Sequence, residues 1–530
     1  MALRHSRAFS VIASVSCAIV AMVTPAQASN LPTTSVTVSV PGPLMGCSGL
    51  SPSINDATRG VLDLTTPSAF TDSPTGEPEG QNGVILSAEL VSLQPQSVVY
   101  EVAPDIRWSN GVIFNGQDFV WWWHQNLSVM SPQHAGYADI ASITTTASGD
   151  AVTVTFKHPY AAWPDLFRDV EERGYHPSCS LRSALLRPSL GPYRLVSLSN
   201  HAAELVANPQ WKWNYNRITR ISLTTNLDTP SNEHTPFVQF LPGISSSQVA
   251  DVTQHPILSS GFSQEQALLE WQMSTSSAIV SSSSERQSWR AAVHLGPRIL
   301  HWFSSFTPSL ATSSTLLYTS DQASATSTGP TSATTTTSPS ITCAGCGFTW
   351  LLHHGFTKQA GRLWYQHHLV VFSVAVGPSA DDAIAARLLR TSLADIGVTV
   401  HFLPEPSEAA ACAAAASGDV TSALFTRAVA DQPYEAAQAF LNIQPHPAFW
   451  SGYWSNTLSI LARTALDNFN PVSAVTDWLA FDTAAQRSGV VTPLLSPPAM
   501  TVWSPHVQNV QVSDSASDLL DGMTNWGVTQ

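Results

Sequence analysis

Leu369-Val370-Val371-Phe372-Ser373-Val374, then Ser379, a run carrying Ile384, Leu388, Leu389 and Leu393, then Gly397 and Val398-Thr399-Val400-His401-Phe402, decides the fold. The first segment is uncharged and rich in β-branched and aromatic side chains, which reads as a buried strand. Ser379 offers a side-chain oxygen to the unpaired N–H groups that open a helix, and the four apolar residues fall on one side of it. Gly397 suits the left-handed residue that closes a helix. Strand, helix, strand at this spacing predicts a parallel βαβ unit with a right-handed crossover.

Working outward, Ser35-Val36-Thr37-Val38-Ser39-Val40 alternates apolar and hydroxyl residues and reads as a strand, as do Val98 to Val102, Val152 to Phe156 and Ile221 to Thr224. Asn115-Gly116 marks a turn before a helix over Gln117 to Gln125, packed through aromatics. Gln264 to Gln272 and Asn468 to Ala485 are expected to be helical, and Met500 to Trp503 a strand. The tract from Thr319 to Thr342 is dominated by Ser, Thr and Ala and cannot bury itself, so it is expected to be an exposed loop. There is no internal repeat.

The chain has 530 residues, 43% of them hydrophobic, too many for one core and enough for two or three. Lys and Arg number 23 against 37 Asp and Glu, a formal charge of −14. Nucleic acid and anionic lipid need a basic face and are excluded as main partners. Arg4, His5 and Arg7, an apolar run from Ala8 to Val23 and Ala26-Gln27-Ala28 read as an export signal over residues 1–28. The mature chain is therefore expected to be exported, periplasmic or associated with the outside of the cell. Neither Cys17, with Ser14 three residues before it, nor Cys47, far downstream, combines the residues and position of a lipid-attachment cysteine.

In an exported chain Cys47, Cys179, Cys343, Cys346 and Cys412 are first read as disulfide partners with one thiol over. Their pairing stays open, with a local bridge expected across Cys343-Ala-Gly-Cys346. His353-His354 and His367-His368 lack the i, i+4 placement that aims two imidazoles at one ion, so no metal and no cofactor are expected.

Several blocks, in order, resemble the extracellular solute-binding protein family five, the dipeptide/oligopeptide-binding components of ABC transporters. Ile106-Arg107-Trp108-Ser109-Asn110-Gly111 with Phe114-Asn115-Gly116-Gln117-Asp118-Phe119-Val120 is similar to the family's W-S-D-G…T-A-x-D-V signature, with Asn110 for the usual Asp. A Val-Thr-Val strand runs into Lys157-His158-Pro159-Tyr160, and Gly191-Pro192-Tyr193 resembles the G-T-G-P-Y turn. Asn208-Pro209 with Trp211, the helix Arg286 to Ala292, and Ile396-Gly397-Val398-Thr399-Val400 match later blocks. The resemblance covers nearly all of the chain after residue 28.

The resemblance implies an α/β, three-lobed, periplasmic-binding-protein-like type II (class C) fold with mixed sheets and a hinged ligand cleft. Lobe I would comprise 29–61, 190–275 and 488–530, lobe II 62–189, and lobe III 276–487 with its Ser/Thr-rich loop at 319–342. It implies a monomer that captures a peptide or other small neutral solute between lobes I and III and hands it to permease subunits. Family members usually place an Asp four residues before a Pro in a lobe III loop, against the peptide's ammonium group. Here that loop is Thr426-Arg427-Ala428-Val429-Ala430-Asp431-Gln432-Pro433, so Val429 stands at the acidic position and Asp431 two residues on. A buried ammonium without a counter-charge costs several kcal/mol, which puts free-N-terminus peptides in doubt. Asp431, Arg427 and Val429 are the candidate ligand residues, Arg427 as a partner for a carboxylate. Trp121-Trp122-Trp123 is read as core.

No G-x-S-x-G, H-E-x-x-H, P-loop or G-x-G-x-x-G is present, so an exported hydrolase, the rival reading, has no motif to stand on. A sensory or degenerate binding protein without a transport role is the other alternative. No catalytic residue is assigned.

Overall fold

Ser35–Ser39, expected as a strand, lies between Arg220–Thr224 and Phe237–Leu241 and pairs in parallel with both. Around this trio grows a seven-stranded mixed sheet in the order 259–264, 498–503, 237–241, 35–39, 220–224, 202–207, 193–198. The computed structural model describes residues 34–529 apart from 52–53, 73–77, 81–82, 130–133, 176–177, 214–217, 229–234, 308–309, 311, 314, 318–344, 430–436, 438–439 and 442–449. The export signal over 1–28, the Ser/Thr-rich tract at 319–342, Cys343 and Asp431 thus lie outside the described residues.

A four-stranded antiparallel sheet, in the order 85–93, 96–102, 151–156, 140–145, is the second layer. Its inward residues Val98, Tyr100, Val152 and Val154 pack with Phe119 and Trp122 of the Gly116–Ser128 helix. Trp121 and Trp123 pack partly buried on the same core, as read from the sequence. Asn115 and Asp118 form a reciprocal cap at this helix start, which satisfies two backbone N–H groups at once. The core continues into Trp450, Leu458, Ala462 and Phe481, and Arg463 pairs with Asp139 across the contact.

The third sheet holds the quoted βαβ unit. Its order is 399–404, 371–376, 422–428, 267–273, 491–495. Val371–Val376 pairs in parallel with both Thr399–Pro404 and Ser422–Ala428. Ser379 caps the intervening helix Ala380–Asp395, and Gly397 follows it at φ +91°, as expected.

One element reads differently. The expected helix over Gln264–Gln272 is instead the end of the Ser259–Gln264 strand and most of the Ala267–Met273 strand. Every residue of Ala267–Met273 is buried, so the strand has no exposed face, and its apolar–polar alternation is confined to Leu269–Met273. Leu269, Trp271 and Met273 enter one core, while Glu270 and Gln272 are buried on the opposite face through hydrogen bonds.

The same segment carries the chain between sheets. Ser259–Gln264 pairs with Pro498–Trp503 in the seven-stranded sheet, and Ala267–Met273 pairs with Val491–Leu495 in the five-stranded one. Two antiparallel crossings therefore lie side by side, at 265–266 and 496–497, joined by Glu265 N–H donating to Pro497 O at 2.7 Å. The resemblance implies that residues 190–275 and 488–530 belong to lobe I. By hydrogen bonding, Ala267–Met273 and Val491–Leu495 belong to the five-stranded sheet.

Cys47 and Cys179 form a disulfide 132 residues apart in sequence, close to where the chain leaves for the four-stranded sheet and returns from it. Cys346 is disulfide-bonded, and Cys412 is a free buried thiol.

Candidate functional site

The sheet order 399–404, 371–376, 422–428 has a chemical consequence. The chain goes from 371–376 through the Ala380–Asp395 helix to one side, then through the Glu408–Ser417 helix back to the other side. The first helix packs Ile384, Ala385 and Leu389 on the face that carries Phe372, Val374 and Leu424. The second packs Ala411, Cys412 and Ala415 against Ala375, Ala423 and Phe425, on the opposite face. The two helices thus part at the carboxyl ends of Val371–Val376 and Ser422–Ala428. In open α/β sheets ligands sit in the crevice at such a switch point.

Local chemistry builds the crevice. Gly377 turns the strand toward its helix, with no room for a Cβ between Asp382 and Phe425. Ser379 N–H donates to Asp382 Oδ2 at 3.0 Å, and Asp382 N–H donates to Ser379 Oγ at 3.0 Å. Thr426 Oγ1 donates to Asp382 Oδ1 at 2.8 Å, fastening the helix start to the neighbouring strand end. Burial raises the Asp382 carboxyl above its usual range against these hydrogen bonds. Ser407 caps the second helix, its Oγ accepting from Ala410 N–H at 3.2 Å.

Arg427 and Val429 come together at the end of Ser422–Ala428. Arg427 directs Nε and Nη2 to Glu270 Oε1, at 3.0 and 2.7 Å, and Nη2 also donates to Leu316 O at 3.1 Å. Its charge is already matched inside the protein. Gln272 Nε2 holds the other Glu270 oxygen at 2.8 Å, and Gln272 Oε1 accepts from Ser451 Oγ at 3.0 Å. Cys412 Sγ accepts from Ser451 N–H at 3.2 Å, and burial pushes its thiol up to about 12. Val429 is buried, with its N–H donating to Gln266 O at 2.9 Å, so it brings no charge.

Sequence reasoning missed Glu265, Glu270, Gln272 and Asp381. The first three sit in the stretch read as helix, where alternate polar residues inside an apolar run were the available signal. Among the described residues no cluster of His, Cys, Asp and Glu could hold a metal ion. Among them also, no helix is long and apolar enough to cross a membrane.

No family model matches the chain. A segment is 33% identical over 132 residues to the probable monoacyl phosphatidylinositol tetramannoside-binding protein LpqW of Mycobacterium tuberculosis, covering 23% of this chain and 20% of that one. The chain is also 26% identical over 170 residues to the oligopeptide-binding protein OppA of Mycobacterium bovis, covering 30% of this chain and 29% of that one. The matches thus span less than a third of these curated relatives. Solved structures align over almost the whole chain. The periplasmic EDTA-binding protein EppA superposes with a TM-score of 0.80 at 18% identity, over 94% of this chain and 97% of that one. NikZ from Campylobacter jejuni, in complex with Ni(L-His), gives 0.73 at 14% over 93% and 99%, and AppA from Bacillus subtilis, in complex with a nonapeptide, 0.71 at 10% over 94% and 100%. The chain therefore shares the fold of these solved binding proteins, a mixed α/β architecture with several mixed sheets.

Proposed function

We propose that this chain is an exported substrate-binding protein that captures a peptide or similar small solute and delivers it to an ABC transporter permease. The observation that carries the reading is the switch-point crevice of the five-stranded sheet, set beside two strand crossings into the seven-stranded sheet. Two neighbouring crossings make a hinge, and a crevice beside a hinge traps a ligand when the lobes close. The relatives support it: one is named for oligopeptides, one for monoacyl phosphatidylinositol tetramannoside, and the solved structures for EDTA, a nickel–histidine complex and a nonapeptide. The action is binding without turnover.

Arg427, Val429 and Asp431 remain the proposed ligand-side residues, with Arg427 near the end of the Ser422–Ala428 strand and Val429 just beyond it. With Arg427 matched by Glu270 and Val429 uncharged, Asp431 is the residue left to meet an ammonium group. The test is a thermal-shift screen of the full chain against short peptides, N-blocked peptides and oligosaccharides. A ligand at ~100 times its dissociation constant adds about 2.7 kcal/mol. Stabilisation by free peptides that disappears in Asp431→Ala supports the assignment. Response to blocked peptides or sugars alone moves the ligand class, and no response to any of the three overturns the binding role.

A further inference from the structure

Where the two large sheets meet, carboxyl groups face each other without a cation. Asp381 comes from the first turn of Ala380–Asp395, and Glu265 comes from the crossing between Ser259–Gln264 and Ala267–Met273. Between them lies Gly243, which follows the Phe237–Leu241 strand of the seven-stranded sheet. Its φ of +54° turns its N–H onto Glu265 Oε1, and a Cβ at this position would collide with Asp381 Oδ2. A glycine is therefore required for the two sheets to approach this closely. Asp381 is 2% exposed, and its Oδ1 has no hydrogen-bond partner.

The charges around the pair have one sign. Glu265 feels Asp381, Asp382 and Asp56, and Asp381 feels Asp382. Asp56 spends both oxygens on Ala516 and Ser517 N–H. Glu408, on the opposite helix, bears on Asp382. The nearby cations are committed elsewhere: Arg427 to Glu270, Arg387 to Ala383 O, and Arg298 to Asp395 near the far end of the helix. Burial and like charge together raise Glu265 well above the carboxylate range and push Asp381 up to about 7. Asp381 Oδ1 is buried without a hydrogen-bond partner, and a proton on this carboxyl would remove its charge.

We infer that Asp381 and Glu265 form a proton-dependent latch between the five- and seven-stranded sheets, closed while the pair holds a proton and loosened when both carboxyls ionise. This rests on the proposed function, in which the two sheets hinge about a solute. The sign follows from linkage. The closed seam binds a proton up to a pKa of about 7, while an opened, solvated carboxyl loses it near ~4. Closure is therefore fully favoured in acid and weakens as pH rises from ~4 through about 7, where Asp381 ionises.

Hydrogen exchange at the Gly243 amide, corrected for the intrinsic rate, reads the seam directly at pH 5 and pH 8 on the full chain. Protection should fall by roughly tenfold or more between the two for the wild type, since one proton unit shifts an equilibrium tenfold per pH unit. Asp381→Asn, a permanent stand-in for the protonated form, should hold its protection at pH 8; should that variant fail to fold, Glu265→Gln replaces it. Equal protection of the wild type at both pH values overturns the latch, as does a variant that follows the wild-type drop. A thermal-shift response to the solute panel on the same samples separates the two readings: binding with pH-independent protection sinks the latch alone, and no binding sinks the proposed function.

Discussion

Glu270 shows how much one buried residue organises. It sits fully buried in a strand with no exposed face, holds Arg427 through one oxygen and Gln272 through the other, and so joins two strands and the Ser451 turn. Removing one partner of such a pair leaves the other charge uncompensated. Glu270→Ala is expected to cost about 3 kcal/mol, at the low end for a buried pair because Arg427 keeps some contact with water. Chemical unfolding of the two proteins side by side measures it. Cys412 offers a second check. Its thiol, pushed up to about 12 by burial, is protonated at pH 8 and shielded, so alkylation should be slow until the protein is unfolded in denaturant. Rapid labelling of Cys412 in the native chain would contradict this placement.

At the scale of elements, the Ala380–Asp395 helix was legible because both of its ends carry local signals. Ser379→Ala removes the cap that Asp382 reciprocates and is expected to destabilise the chain by about 1 kcal/mol. Gly397→Ala should cost more than ~1 kcal/mol. Its φ is +91°, and a Cβ there would stand 2.5 Å from Gly361 O. Calorimetry on both variants ranks them, and Gly397→Ala as the milder of the two would contradict the geometry. The Ala267–Met273 strand was misread for the complementary reason. A central strand buried on both sides has no exposed polar face, its alternation is confined to Leu269–Met273, and Ala, Leu, Glu and Gln are good helix formers, so local propensity favoured the wrong element.

For the whole molecule, the Cys47–Cys179 bridge ties together the segments that frame the excursion to the four-stranded sheet. Closing a loop of 132 residues restricts the unfolded chain by about 5 kcal/mol in the chain-entropy picture. Cys47→Ser with Cys179→Ser should lower the melting temperature markedly while leaving the far-ultraviolet spectrum near native. An unchanged melting temperature would mean that the packing of Gly46 and Gly49 against the 169 and 180 regions holds the junction by itself. The pairing itself was open in the sequence, since spacing does not tell which cysteines approach in space.

The sequence by itself determined the βαβ unit, the helix caps and the alternating outer strands, because each is written in residues a few positions apart. It also determined the family resemblance, whose blocks are likewise local. Tertiary structure decided which sheet each strand joined, that the chain crosses twice between sheets at 265–266 and 496–497, and that Arg427 is matched by Glu270. It alone brought Asp381, Gly243 and Glu265 together. The reason is physical: burial, counter-charge and close approach are set by groups hundreds of bonds apart along the chain, and no local pattern encodes their meeting.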